Sequence, residues 1–209
     1  PTRDADLDGW DACGGDCDDD DLSINPYGQD LVNDGIDQDC DGQDAQYQID
    51  LGLSINCGIS EGELRCWGDG REDTPKLKNA MWIEVGLRNY KTGCSMMSPN
   101  DIQCFGFNSH LSVQSTNSFV QFEHGANHMC LLSDEGMISC VGNDQYGKSS
   151  PPSLTVHQIS SGQHHNCAID RTGSIYCWGR NDNGQGEPPS GKWIQVSVGG
   201  EFTCALDEN

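Results

Sequence analysis

Aspartates recur at alternate positions in two short segments near the start of the chain. "DADLDG" places Asp4, Asp6 and Asp8 directly before Gly9, and "DQDCDGQD" repeats the same spacing from residue 37. Alternating carboxylates followed by glycine curl a loop around a hard cation, because glycine permits the sharp turn and the next backbone carbonyl supplies another oxygen. The two segments therefore predict bound calcium, with two or more ions in all.

Neither segment is a complete EF-hand loop. The position of its final acidic ligand is Gly15 in the first segment and Gln48 in the second, so further ligands must come from neighbouring acidic residues. Nearly all candidates are carboxylates or carbonyls and no histidine precedes residue 110, which favours calcium over copper or zinc. The alternative interpretation is a disordered acidic tail. The expected ligands are Asp4, Asp6, Asp8, the Trp10 carbonyl, Asp16, Asp18, Asp19, Asn33, Asp34, Asp37, Asp39, Asp41 and Asp44.

Charge and cysteine content restrict the class of protein. Residues 1–50 contain 16 Asp and one Arg, a net charge of −15, within a total of −22. This acidity argues against nucleic acid as a partner. The sequence contains no apolar run of 18 residues, so insertion into a membrane is not expected. Twelve cysteines indicate an oxidising compartment, so an extracellular or cell-surface location is expected. The start at Pro1, without Met or a signal peptide, is expected of a processed or excised segment.

Five cysteines mark an internal repeat. Cys57, Cys94, Cys130, Cys167 and Cys204 are separated by 37, 36, 37 and 37 residues. A fixed period of this length is typical of repeat folds. The sequence therefore predicts a module at residues 1–46 and repeats at 47–209, with units that start near residues 47, 82, 118, 156 and 192.

Four of these cysteines are followed by a second one, nine or ten residues later. The residues between them are rich in Ser, Asp, Asn and Gly, which is typical of a hairpin turn. Residues equidistant from the turn face each other across an antiparallel hairpin, so a disulfide can join them and contribute roughly 2–3 kcal/mol. The predicted pairs are Cys57–Cys66, Cys94–Cys104, Cys130–Cys140 and Cys167–Cys177.

Two resemblances extend this interpretation. The first lies in "GDCDDDDLSINPYGQDLVNDGIDQDCDGQD", which resembles an aspartate-rich metal-binding motif of secreted bacterial proteins and is similar in style to the calcium repeats of thrombospondin and dockerin. It spans about residues 4–44. The resemblance implies a bacterial source and a disulfide between Cys17 and Cys40, which leaves Cys13 without a partner.

The second resemblance lies in the repeats. "ISSGQHHNCAIDRTGSIYCWGRNDNGQGEPP" is similar to the regulator-of-chromosome-condensation repeat, and its period is closer to a short-blade secreted branch typified by the propeller-type β-lactamase inhibitor protein. The resemblance implies a β-propeller, although Phe105-Gly106 and Val141-Gly142 stand where the other repeats have Trp-Gly. The predicted fold is all-β: disulfide-stapled propeller repeats, in four hairpin blades plus a half blade, after an N-terminal loop-rich calcium-binding module.

Two cysteines, Cys13 and Cys204, have no assigned partner. Three interpretations remain open: the chain is a fragment of a longer protein, the two cysteines bond each other, or Cys204 bonds a neighbouring subunit. His128 and His165 occupy the same repeat position, two residues before the first cysteine of their units, and are interpreted as structural.

The sequence favours an interaction protein over an enzyme. It has no His-Glu-x-x-His motif and no phosphate-binding loop. We expect a secreted, calcium-stabilised structural or adhesive module of a cell surface, matrix or fibre, which binds a protein partner or self-associates. A glycan is a further possible partner. The alternative is a soluble protein-binding propeller, such as an inhibitor of an extracellular enzyme.

Overall fold

Antiparallel strands account for most of the regular structure. The computed structural model of the protein describes residues 4–6, 8–28, 30–31, 35–40, 42, 44–45, 47–51, 55–60, 63–68, 77–78, 80–85 and 92–207. The first seven strands are β1 (Tyr47–Leu51), β2 (Ile55–Ser60), β3 (Glu63–Gly68), β4 (Trp82–Val85), β5 (Gly93–Ser98), β6 (Asp101–Phe105) and β7 (Val113–Gln114). The others are β8 (Phe119–His124), β9 (His128–Ser133), β10 (Ile138–Gly142), β11 (Gln158–Ser161), β12 (His165–Ile169), β13 (Ile175–Gly179), β14 (Gln195–Val198) and β15 (Thr203–Leu206). Within the described part of the chain, two short 3-10 helices cover Gly106–Leu111 and Gln145–Gly147.

The strands form five consecutive sheets. Their orders are β1-β2-β3, β4-β5-β6-β7, β8-β9-β10, β11-β12-β13 and β14-β15. In the first four sheets, the second and third strands form a hairpin in which the two cysteines lie directly opposite each other. The Cα atoms of these cysteine pairs are 3.9 to 4.1 Å apart, and each pair is a disulfide.

Hydrophobic clusters fill the space between successive sheets. Phe122 of β8 is fully buried, and its cluster contains Met96 of the second sheet and Met129 of the third. Ile83 lies in the cluster between the first and second sheets, and Val196 in the one between the fourth and fifth. The first strands of the sheets contact one another in sequence, so each sheet packs face to face on the next. This is the blade arrangement of a β-propeller.

A side chain on the first strand of several blades also binds the backbone of the next blade. Gln121 of β8 accepts a hydrogen bond from the Ile159 N–H at 3.0 Å and donates one to the Ile159 carbonyl at 2.9 Å. The side-chain amide of Gln121 is therefore hydrogen-bonded to both backbone polar groups of Ile159 in β11. Two other glutamines make links of this kind, Gln48 to Ile83 and Gln158 to the N–H of Val196. Glu123 and Ser160 accept the N–H groups of Ser161 and Val198 in the same way.

The described residues before β1 form turns and bends rather than strands. A disulfide joins Cys17 to Cys40 across this region. Leu31, 7% exposed, packs into the cluster between the second and third blades, and its N–H donates to Gln38 Oε1 at 3.0 Å. The acidic region is thus attached to the propeller by an apolar contact.

The structure confirms the all-β class and the propeller repeats. The predicted boundary at residue 46 and the starting points of the units remain predictions. Among the described residues, no helix is long and apolar enough to cross a membrane.

Candidate functional site

The first acidic segment folds into a tight loop around its own carboxylates. Asp4, Asp6 and Asp8 each offer an oxygen atom, and these atoms lie within 4.8 Å of one another. Gly9, with φ +104°, donates its N–H to Asp4 Oδ2 at 3.2 Å, and Trp10 donates its N–H to Asp8 Oδ1 at 2.8 Å. A positive φ favours glycine, so the glycine closes the loop as the sequence pattern requires.

Buried carboxylate oxygens without partners distinguish this loop from an ordinary acidic turn. Asp8 is 3% exposed and Asp16 is 5% exposed, and the Oδ2 atoms of Asp6, Asp8 and Asp16 are buried without a hydrogen-bond partner. Burial raises the pKa of Asp8 to about 7, although hydrogen bonds from the Trp10 N–H and the Asn25 side chain oppose the shift. Burial also raises the pKa values of Asp6 and Asp16. A cation beside these oxygens would supply the missing partner.

The run "GDCDDDD" folds back onto this loop. Asp19 Oδ1 accepts a hydrogen bond from the Ala5 N–H at 3.3 Å, and Asp16 and Asp19 both raise the pKa of Asp6 by charge repulsion, after the larger effect of burial. Asp18 lies next to Asp16, and its N–H donates to Asp16 Oδ1 at 2.8 Å. Asp16 and Asp19 are therefore neighbours of the first loop, although the oxygens that lie within 4.8 Å of one another are those of Asp4, Asp6 and Asp8.

A second carboxylate group includes a residue that the sequence analysis missed. Oxygens of Asp30, Asp37 and Asp39 lie within 4.8 Å of one another. Asp30 Oδ1 accepts hydrogen bonds from the Gln38 N–H at 2.6 Å and from the Asp39 N–H at 3.0 Å. Asp30 stands alone in the sequence, outside the alternating pattern, so only the fold brings it to this group.

The remaining predicted ligands are placed as follows. Gly42 donates its N–H to Asp37 Oδ2 at 2.7 Å, which repeats the Asp4–Gly9 contact of the first loop. Asp44 Oδ2 accepts a hydrogen bond from the Gly35 N–H at 2.8 Å, and among the described carboxylates Asp44 is not one of those that converge on Asp37. The predicted ligands Asn33, Asp34 and Asp41 lie outside the described residues.

One contact links the first acidic loop to the propeller. Nη1 of Arg171, in the hairpin turn of the fourth blade, donates a hydrogen bond to the backbone carbonyl of Asp6. Gly173, with φ +80°, donates its N–H to the Asp170 carbonyl at 3.0 Å and closes this turn. A change in the loop around Asp6 would therefore reach the fourth blade directly.

The repeated histidines lie between blades. His128 Nε2 is 2.6 Å from Asn166 Oδ1, and His165 Nε2 is 2.9 Å from Thr203 Oγ1, so each joins its blade to the next. Burial lowers the pKa values of His124 and His128 to about 4, so both are neutral at pH 7. Their contacts favour a structural role. Among the described residues, no metal-binding group of three or more side chains contains a histidine.

Five disulfides join the cysteine pairs described in the sequence analysis, including Cys17 and Cys40. Cys13 and Cys204 are free and exposed. Cys204 occupies the β15 position that corresponds to Cys167 of β12, which is buried and bonded to Cys177.

Comparison with known proteins supports the fold. Residues 156–185 match the Regulator of chromosome condensation (RCC1) repeat family. The CRINKLY WD40 ectodomain of the Arabidopsis thaliana receptor kinase ACR4 is similar in structure, with a TM-score of 0.63 at 22% identity over 75% of this chain and 59% of that chain. The ectodomain of the Physcomitrella patens receptor kinase CR4 gives a TM-score of 0.62 at 21% identity over 76% of this chain and 48% of that one.

A yeast protein is similar in structure too. Prp20p of Saccharomyces cerevisiae, whose binding to Gsp1p and histones has been described, gives a TM-score of 0.62 at 15% identity over 86% of this chain and 61% of that chain. The chain thus spans about half to three fifths of the length of these three proteins. No curated protein matches the chain in sequence. The molecule is a β-propeller, and its repeat at residues 156–185 matches the RCC1 repeat family.

Proposed function

We propose that the protein is a secreted, non-catalytic interaction module whose acidic N-terminal region is held in shape by calcium. The observation that carries the calcium part is the set of buried oxygens on Asp6, Asp8 and Asp16 that lack hydrogen-bond partners. A buried carboxylate without a partner is costly, and a bound divalent cation removes that cost. The donors are carboxylate oxygens, which calcium prefers.

The residues present fit two separate ions. Asp4, Asp6 and Asp8 would hold the first, with further oxygens available from Asp16 and Asp19. The second ion would be held by the carboxylates of Asp30, Asp37 and Asp39. Calcium would neutralise the repulsion between these charges and order the turns around them. The proposed role of the ions is structural, since no reacting group lies beside them among the described residues.

The interaction part of the proposal rests on the fold. Propellers present loops on two faces of a rigid ring of blades, and they serve as binding surfaces in many unrelated proteins. The five disulfides and the structural likeness to two receptor ectodomains support a location outside the cell. The proposed setting is a cell surface, matrix or fibre, where a partner protein or a second copy of the chain is bound. The soluble protein-binding propeller, an inhibitor for example, is the second candidate.

Calorimetry and limited proteolysis with and without a chelator test the calcium proposal. We expect Ca²⁺ to bind at two sites and to protect the region before residue 46 from cleavage. At a calcium concentration about 100 times the dissociation constant, each bound ion should contribute about 2.7 kcal/mol of stabilisation. Asp8→Asn should remove one ion. Glu63→Gln on β3, which removes the same charge from an exposed side chain, should leave both ions bound.

Two results would contradict the proposal: unchanged proteolysis in chelator, or calcium uptake that Asp8→Asn does not alter. Sedimentation velocity separates the two candidate settings. A structural or adhesive module should self-associate in calcium, whereas a soluble binding domain should remain a monomer.

A further inference from the structure

A cleft of about 700 Å³ separates the acidic region from one face of the propeller. Trp10 and Tyr27 line the side of the acidic region, with ring centroids 5.1 Å apart. Trp193 lines the propeller side, at the start of the fifth blade. Tyr27 is 48% exposed, so part of this aromatic surface is open to solvent. Clefts between two structural units are common binding sites.

The lining of the cleft is weakly acidic, with three aspartates against two basic side chains. Asp8, Asp21 and Asp134 are among the residues that line it, on both walls. The wall formed by the acidic region belongs to a segment of net charge −15, which two bound calcium ions would reduce but not cancel. A negative field in a cleft raises the local concentration of cations and speeds their association.

Two basic side chains also line the cleft. Arg171 donates a hydrogen bond to the Asp6 carbonyl, so part of its guanidinium group is directed to the acidic loop. Lys192 is exposed at the edge of the cleft, next to Trp193. Lys192 therefore opposes the entry of a cation and sets a limit on its affinity.

We propose that this cleft binds a basic segment of a partner protein, with a lysine or arginine side chain inserted between the Trp10–Tyr27 pair and Trp193. Aromatic rings attract such a cation through their π faces, and Asp21 and Asp134, which line the same cleft, would pair with it. This inference rests on the proposed interaction function and adds its site and the chemistry of the partner.

The wall contributed by the acidic region connects this site to calcium. Asp8 and Trp10 belong both to the first acidic loop and to the cleft. Calcium that orders the loop would therefore fix one wall of the cleft before the partner arrives, and binding of the partner would in turn tighten calcium. The basic segment should bind more tightly in calcium than in chelator.

The test is titration of the calcium-saturated protein with the peptide acetyl-Arg-Gly-Arg-Gly-Arg-amide, followed by NMR of the tryptophan indole N–H groups. We expect saturable shifts of the Trp10 and Trp193 signals and no shift of Trp67, which is exposed on β3 and does not line the cleft. Trp193→Ala should weaken binding about tenfold. The same peptide with glutamine in place of arginine should not bind.

A gain of affinity separates the cleft from general attraction to an acidic protein. Lys192→Glu should tighten binding roughly fivefold, because it replaces a repulsive charge with an attractive one. Arg65→Glu makes the same change of charge on β3, on a side chain that is 79% exposed and outside the cleft, and should alter binding little. Equal effects of the two variants, absence of saturation, or shifts confined to other residues would each overturn the inference.

Calcium binding measured on the same samples keeps the two proposals apart. If calcium binds and protects the acidic region but the peptide does not bind, only the cleft inference is wrong. If neither binds, the proposed calcium-dependent function fails as well.

Discussion

The acidic region and the propeller blades achieve order by different physical means. Each of the first four blades pairs its backbone in an antiparallel sheet, closes a hairpin with a disulfide and buries apolar side chains against the next blade. The described residues before β1 form turns in which aspartate side chains accept backbone N–H groups, with little apolar burial apart from Ile24 and Leu31. The blades depend on packing, whereas the acidic region has its Cys17–Cys40 disulfide and is proposed to depend also on cations that neutralise its charge.

The two regions should respond differently to chelator and to loss of packing. A chelator should act on the acidic region and leave the blades folded, whereas loss of core volume or of a hairpin disulfide should act on the blades. The following variants, measured with and without calcium, test that separation.

The largest effect is expected from Phe122→Ala. Phe122 is fully buried between the second and third blades, so its truncation should lower the free energy of unfolding by about 3–5 kcal/mol through lost burial and a residual cavity. Phe107→Ala is the matched control, since Phe107 is 61% exposed and its loss should change little. Urea unfolding followed by tryptophan fluorescence measures both. If calcium restored the free energy of unfolding that Phe122→Ala loses, the blades and the acidic region would not be independent of each other.

A hairpin disulfide should contribute somewhat less. Replacement of Cys167 and Cys177 by serine opens a loop of 10 residues and should cost about 3 kcal/mol on the chain-entropy estimate. Serine at Cys13 or Cys204, which are free and exposed, should leave the unfolding midpoint unchanged. If the loss of the hairpin disulfide also weakened calcium binding, the blades and the acidic region would be coupled more strongly than the comparison allows.

Acid should weaken the blades through their buried histidines. The pKa values of His124 and His128 are lowered to about 4 by burial, so the unfolded chain takes up protons first as the pH falls. The free energy of unfolding should therefore decrease from about pH 6.5 towards pH 4. By pH 4, each histidine should account for a loss of roughly 3 kcal/mol. Urea unfolding in chelator at pH 7, 6 and 5 measures this decrease.

Glu123 acts in the opposite direction. Burial raises the pKa of Glu123 to about 7. The contribution of Glu123 to the free energy of unfolding is therefore complete below about pH 4.5 and is lost as the pH rises through 7. Within the blades, two histidines outweigh one glutamate, so the blades lose stability on acidification. In chelator, the raised pKa values of Asp6, Asp8 and Asp16 act in the same direction as Glu123 and reduce the net loss. Glu123→Gln should make that loss steeper, and a variant with an unchanged pH profile would show that Glu123 does not oppose the histidines.

The smallest effect is expected from the loss of a side-chain link between two blades. Gln121→Ala removes both hydrogen bonds to Ile159 and should cost about 2 kcal/mol. Gln195 holds the equivalent position on β14 but is exposed, so Gln195→Ala should be nearly neutral. Equal losses for the two variants, measured by urea unfolding, would show that the glutamine contributes through its own strand rather than through the neighbouring blade.

The sequence predicted what repeats at fixed spacing. Cysteines 10 residues apart around a turn determine a hairpin locally, so the blades and their disulfides follow from pattern alone. The Asp4–Gly9 and Asp37–Gly42 contacts follow in the same way, because each is closed within six residues.

Contacts between distant segments could not be read from spacing. Asp30 joins Asp37 only after the chain has turned back on itself, and Leu31 reaches a core that strands 60 to 100 residues later in the chain create. The cleft likewise needs both Trp10 and Trp193 in place. A signal for the links between blades was present, however: Gln121 and Gln158 occupy corresponding positions in successive first strands.

Those glutamine links bear on how such a chain can change over evolutionary time. Gln121 binds the N–H and carbonyl of Ile159, groups that almost every amino acid provides, so the link does not depend on which side chain the next blade carries. A duplicated or exchanged blade would meet the same backbone partners on both sides and join the ring without compensating substitutions. Sequence divergence between blades, such as the valine at position 141 where Trp178 stands one repeat later, is then tolerated because the connection is made through the backbone.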